Sequence, residues 1–448
     1  MKKNEKKIAV GIVLVVVIAL GIFIYDNQRQ IIEGQSGSRF SSEEEIKNYL
    51  LENSGSGTEY YSEKASMFGV ADGAQGGSGA ATPGSRSSEE AEDYSQTNVQ
   101  VEGVDEPDIV KNDGKYIYTV NGKKVVILNA FPAEEMEIVS EIEIKGGVRN
   151  IFVNGDKLIV FSEDYDFIDG DAPCPLLEGD MKVASEAFYP CGGYSKQFTE
   201  VFVYDISDRE NPELENEFKA DGWYVDARMI GDYIYFISTK DISFNAFELP
   251  AYEINGVTRL AAPSDVVYFD YYDDNYVFTS VSSINLGDGG FDSEVYLIGY
   301  TSTVFVSENN IYLTSQKRVA VNDYLDRYAD SVLKEVLLSE EYGRVLDVLN
   351  SDKTNWDKSN EINEIVKDYS DSLKGEEKSD FASDFSGRLD EFSREMERET
   401  QKTVIHKISV DSGNVKYVAD GEVYGTVLNQ FSMDESEGYF RIATTTGE

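Results

Sequence analysis

His406 is the only histidine in this chain of 448 residues, and there are only two cysteines. A Ser-His-Asp triad would have to use His406, which sits in the strand-like run KTVIHKISV with no G-x-S-x-G elbow to accompany it. A lone histidine also excludes H-E-x-x-H zinc chemistry, and neither a phosphate-binding P-loop nor a dinucleotide fingerprint occurs. The 83 acidic residues make glycosidase-like carboxylate pairs a matter of chance. One acidic cluster is better organised: Asp164, Asp166, Asp169 and Asp171 in DYDFIDGD, closing on Gly170. Alternating carboxylates offer hard oxygen ligands, so calcium is the one cofactor suggested, against the plainer reading of a solvated acidic loop. The EF-hand pattern is not met, because the third Asp is displaced by one and the twelfth position is Pro175. Asp270, Asp273 and Asp274 form a second acidic turn. Cys174 and Cys191, 17 apart and flanked by Pro and Gly, predict a disulfide in an exported chain. It would close a long loop with a gain of ~3 kcal/mol.

The elements that would position these groups recur along the chain. KYIYTV (115–120), KLIVFS (157–162), YIYFIS (233–238), NIYLTS (310–315) and YFRIAT (439–444) each follow a Gly, Asp or Asn turn. Such repeats predict stacked supersecondary units. The first step is 42 residues, the length of a four-stranded propeller blade. The second, 76, falls to 40 once an inserted loop over 164–199 is removed, and the fourth, 129, contains a helical stretch. The third, 77, has no obvious place for its insertion. The expected fold is all-β: a β-propeller of four-stranded blades over 97–321 and 403–448, with an α-helical insertion over 322–402; the rival is a β-sandwich. In the insertion, Phe381, Phe385, Leu389, Phe392 and Met396 make one helical stripe. About four and a half blades can be counted, so the propeller is incomplete in this chain. Either the sequence is truncated or a partner chain closes the ring, with 99–110 completing the last blade.

A formal net charge of −43 repels phosphate backbones, so no nucleic-acid partner is expected. At the N-terminus, Lys2, Lys3, Lys6 and Lys7 precede an uncharged run from Ile8 to Tyr25. Its 18 residues span about 27 Å as a helix, enough for a hydrocarbon core. Residues 1–27 therefore read as a transmembrane helix with an extracytoplasmic C-terminal region, or as a signal that leaves a secreted protein if cleaved. Over 28–96 come a short amphipathic helix, with Ser42 and Glu45 as a capping box and Ile46, Tyr49 and Leu50 on one face, and a Gly/Ser-rich flexible linker.

The segment 98–130, with VEGVDEPDIVK at 101–111 and then DGKYIY, resembles secreted or membrane-anchored archaeal and bacterial proteins with a C-terminal β-propeller distantly related to WD repeats. The SSEEEIKNYL helix before a loose linker is similar to theirs, and the resemblance covers most of the chain from Ser41 onward. It implies a propeller outside the cytoplasm and brings no catalytic or binding residues with it. The function expected is a membrane-tethered extracytoplasmic module, non-catalytic, that binds or scaffolds an envelope protein or glycan. The alternatives are a calcium-assisted, carboxylate-dependent envelope hydrolase or lyase, and a structural surface-layer component.

Overall fold

A computed structural model describes residues 37–53, 99–169, 193–243, 247–269, 271–273 and 275–447. β1 (Ser38–Arg39), α1 (Glu43–Asn53) and β2 (Val104–Asp105) precede a series of antiparallel meanders. The first blade is β3 (Val110–Asn112), β4 (Tyr116–Asn121), β5 (Lys124–Asn129) and β6 (Glu137–Glu143). The second is β7 (Gly147–Asn154), β8 (Lys157–Asp169), β9 (Gly193–Asp205) and β10 (Glu213–Asp221). The third opens with β11 (Trp223–Ile230) and β12 (Tyr233–Asp241). An insertion carrying β13 (Ala251–Ile254), β14 (Val257–Leu260) and β15 (Val266–Tyr268) follows, before β16 (Val277–Asn285) and β17 (Phe291–Ile298) complete it. In the fourth, β18 (Thr303–Val306) and β19 (Asn310–Gln316) are separated by helices from β20 (Lys402–Asp411) and β21 (Asn414–Tyr424). The short pairs β22 (Thr426–Val427) with β25 (Thr444–Thr445), and β23 (Met433–Ser436) with β24 (Tyr439–Ile442), come last. Among the described residues, no sheet closes on itself.

Each copy of the repeated signature is the second strand of its unit: β4, β8, β12, β19 and β24. In β8, β12 and β19 the physical reason is burial on both faces. In β8, Leu158 and Val160 pack with Tyr118, Val125 and Ile127 of the first blade, while Ile159 and Phe161 pack with Ala227, Ile234 and Phe236 of the third. A strand covered on both sides needs an unbroken apolar run, not an alternating one. The turns also repeat a main-chain bond, with Ala130 N donating to Lys115 O, Ile206 N to Asp156 O and Leu286 N to Asp232 O at 2.8–2.9 Å.

The insertion hidden in the 77-residue step is 242–276. Its β13–β14 hairpin extends the second blade through β10, and β15 lies parallel to β17 at the edge of the third. β1 then adds to β15, with Ser38 opposite Tyr268. Behind it α1 is capped as its sequence predicts, Ser42 Oγ accepting from Glu45 N at 3.2 Å. The helix is not part of a tether: Phe40, Ile46 and Leu50 are buried in the core between the second and third blades. Phe40 stacks on Tyr268 at 4.0 Å and Tyr49 donates to Phe269 O at 2.6 Å. The apolar run from Ile8 to Tyr25 and the linker 54–98 lie outside the described residues. Among the described residues, no helix is long and apolar enough to cross a membrane.

The helical insertion comprises α2 (Val321–Tyr328), a π turn at Ala329–Leu333 running into Lys334–Val336, α3 (Ser339–Leu349), α4 (Asn355–Ser372) and α5 (Glu376–Thr400). It has its own core, in which Val332, Leu333, Val345, Ile362, Ile365 and Phe392 are buried. Phe381, Phe385 and Leu389 pack against that core only in part. At the neck, Lys317 and Lys402 each pair with Glu399 and Glu422, at distances of 2.7–3.6 Å.

Candidate binding face

The three long insertions, 170–192, 242–276 and 317–401, all connect a second strand to a third. Because the meanders are antiparallel, these connections emerge at one end of the blades. The blade-to-blade crossings emerge there too, as does the two-residue turn between β4 and β5, while the first-to-second and third-to-fourth strand turns lie at the other end. Polar loops on a rigid scaffold are a usual place for recognition, so this end is the candidate site.

The crossings on this face are built by one repeated device. Gly222, at φ +97°, donates its N–H to Gln197 O at 2.8 Å and accepts from Thr199 Oγ1 at 3.0 Å. Gly425, at φ +94°, does the same with Gln401 O at 3.0 Å and Thr403 Oγ1 at 2.6 Å. A Cβ on Gly222 would lie 2.2 Å from Thr239 O, so only glycine fits. Beside it, the buried Asp221 carboxylate is held by Lys240 at 2.9 Å and Lys196 at 3.1 Å, and accepts from Ala251 N at 3.2 Å. This knot pins the β9 arm and the third-blade insertion to the crossing. Just past Gly222 and Gly299, the rings of Trp223 and Tyr300 stack at 5.8 Å and 14°. Tyr300 is 46% exposed, and its hydroxyl donates to Asp241. Sequence reasoning missed this pair. Its signal was an aromatic residue directly after the glycine that ends a blade, in ADGWY and LIGYT.

Two members of the acidic cluster lie in a paired strand. Asp164 and Asp166 lie within β8, in register with Phe198 and Lys196 of β9, so this stretch is strand and not inserted loop. The physical reason is the alternation D-Y-D-F, a strand's period of two, which leaves Tyr165 and Phe167 exposed. Asp164 pairs with Lys145 at 2.8 Å, which holds its carboxyl below the usual range, and Asp166 pairs with Lys219 at 3.7 Å. Nearby Glu200 is buried, one of its oxygens lacks a partner among the described residues, and burial raises its pKa. β8 ends at Asp169, while Asp171, Cys174 and Cys191 lie outside the described residues. Among the described residues, no three His, Cys, Asp or Glu side chains group as a metal set.

His406 lies in β20 and is 1% exposed. Its Nε2 is 2.9 Å from Tyr271 Oη, and Phe269 packs 4.6 Å from its ring. Burial pushes its pKa down to about 3, so at neutral pH it is an uncharged core residue out of reach of acid–base work.

Within this chain the VEGVDEPDIVK motif pairs with the third blade. β2 pairs with β11, Val104 facing Ile230, because Val104 reaches the apolar core between the third and fourth blades. Asp108 bridges to Ile151 of β7, and Gln100 Nε2 donates to Gln430 O and Met433 O at 2.9 and 3.0 Å. One segment therefore touches the first strands of the second, third and fifth units, which places it along their shared axis. Arg228 fixes it there, bonded to Asp226 at 2.6 Å and Gln430 at 2.9 Å, with Glu106 at 4.0 Å. Lys111 Nζ donates to Asp105 Oδ1 at 2.8 Å and to Glu106 O at 2.6 Å. These bonds hold the motif in place between the blades.

Sheet order and comparison agree, for the family of beta propeller domains matches residues 94–448. The chain belongs to that family. It is 26% identical over 464 residues to an uncharacterized protein of Methanocaldococcus jannaschii, covering 99% of this chain and 64% of the relative. A second relative, an uncharacterized protein of Archaeoglobus fulgidus, is 27% identical over 478 residues, covering 98% of this chain and 67% of that protein. The chain thus spans about two thirds of the length of these relatives.

Proposed function

We propose that the protein is a membrane-tethered, extracytoplasmic propeller that binds an envelope protein or glycan through its insertion-bearing face and catalyses no reaction of its own. The observation that carries this reading is that the insertions 242–276 and 317–401 leave the blades at one end, the end at which β8 stops and β9 begins. A scaffold that elaborates one end and trims the other to tight turns is organised for contact on the elaborated side.

Tethering rests on the four lysines and the uncharged run that follows them. β1 is antiparallel to β15, and β15 runs with β17 toward the insertion-bearing end, so the chain enters the fold at that end. Only residues 26–36 separate Tyr25 from Gly37, a reach of at most about 40 Å. The face would therefore stand close to the bilayer, and its partner would be found there.

The test is cross-linking in native envelopes, with the full chain and with a variant in which 318–400 are replaced by a short glycine–serine turn. A species captured by the full chain and lost with the variant supports the reading. Equal capture by both, or capture by neither, overturns it.

A further inference from the structure

We infer that Trp223, Tyr300 and Asp241 form a shelf that binds a neutral saccharide. This rests on the face assigned above and names the chemistry it would recognise. The two ring planes are nearly parallel, 14° apart with centroids 5.8 Å from each other, so the rings stack; Trp223 opens the third blade in β11, and Tyr300 lies in the crossing from that blade's β17 to β18. The Asp221 knot and the Gly222 crossing hold the backbone beneath them. Tyr300 is 46% exposed, so part of the stacked pair reaches solvent.

Polar groups flank that ring in an arrangement suited to hydroxyls. Asp241, itself exposed, accepts from Tyr300 Oη, and its second oxygen has no donor among the described residues. The indole N–H of Trp223 finds no acceptor among them. A site with a stacking face, a carboxylate acceptor and an N–H donor asks for a ligand with an apolar face and groups that both give and accept hydrogen bonds. A pyranose has both. A proline-rich segment would also stack, but its carbonyls only accept and leave the Asp241 carboxylate unanswered. Acidic sugars are disfavoured by Asp241 and by the net charge of −43.

The chain contains only two tryptophans, Trp223 and the exposed Trp356, which provides the assay. In the full chain carrying Trp356→Phe, emission reports on Trp223 alone. The probes are maltotriose, cellotriose and mannotriose, each titrated to about 20 mM, the range of weak single-ring stacking. The expected result is a saturable emission change with at least one trisaccharide, weakened at least about tenfold by Tyr300→Ala. Tyr300→Phe keeps the ring and loses the bond to Asp241; it should retain binding with reduced affinity, which separates loss of the shelf from loss of the fold. No saturable change with any of the three, a change unaltered by Tyr300→Ala, or a response only to a proline decapeptide would overturn the inference. If envelope capture depends on 318–400 while these titrations fail, the shelf falls and the binding face stands.

Discussion

Replacing Gly222 by alanine, with Gly231→Ala as its control, separates backbone conformation from close packing. Both glycines have positive φ, +57° at Gly231 and +97° at Gly222. At Gly231 an added Cβ meets nothing within 4 Å, so the cost is the left-handed conformation alone, roughly 1–2 kcal/mol. At Gly222 the Cβ would lie 2.2 Å from Thr239 O and 2.5 Å from Thr239 C. Backbone must retreat by about 1 Å to restore ordinary contact, and nothing flexible is available to give way. That movement strains the bonds to Gln197 O and from Thr199 Oγ1, each worth about 1 kcal/mol net. Together with a φ that side chains rarely adopt, the sum is about 3–5 kcal/mol. Urea unfolding followed by tryptophan emission measures both variants, and Gly222→Ala should lower the midpoint at least about twofold more than Gly231→Ala. Equal shifts would refute the claim that the crossing is a close-packed joint.

Four other outcomes follow from the same structure. Deleting 318–400 between Lys317 and Gln401, which flank paired strands, should leave the propeller folded because the helices bury their own core; loss of the β circular-dichroism signal would contradict this. Phe40→Ala should destabilise by about 3–5 kcal/mol through loss of a buried ring stacked on Tyr268, read as a fall in melting temperature. His406 is held neutral with a folded pKa of about 3, below its unfolded value, so its stabilising contribution is complete above pH 6.5 and is lost as pH falls toward 3. His406→Gln should therefore lose stability less steeply than wild type between pH 6.5 and 4, by up to about 1.4 kcal/mol per pH unit. Glu200, whose folded pKa is raised by burial, costs stability once pH rises above its unfolded value; Glu200→Gln should gain stability at pH 7 and nothing below pH 4 in denaturant titrations.

What could be read in the sequence was whatever packing writes into long apolar runs. Second strands such as YIYFIS are covered on both faces and so announce themselves, whereas first strands such as VKN and TVFV are short and lean on the axial segment. The insertion at 242–276 stayed hidden because β13, β14 and β15 are three or four residues each and lend main-chain bonds to sheets begun elsewhere. Docking of Ser38–Arg39 leaves no pattern at all, since two residues carry no period. The alternation around Asp166 was visible and admitted two readings; extended pairing with β9 selects the strand. Of the binding face, the helices were legible from their stripe. The Trp223–Tyr300 pair was not, because its members are 77 positions apart, at the start and just past the end of the third blade.

The chain enters its own fold twice, first at Ser38–Asn53 beside the third blade and again at Val99–Asn112 along the axis. A protease that cuts once anywhere in 54–98 therefore shortens the polypeptide without dividing the particle. The upstream fragment keeps Phe40, Ile46 and Leu50 in the core, each worth about 1.5–3 kcal/mol of burial, and the downstream fragment keeps its axial strand. Such a nick gives two bands on a denaturing gel and one species in solution. Were residues 8–25 held in a membrane, release of the propeller would take a cut upstream of Gly37, within the 11 residues that begin at Asp26.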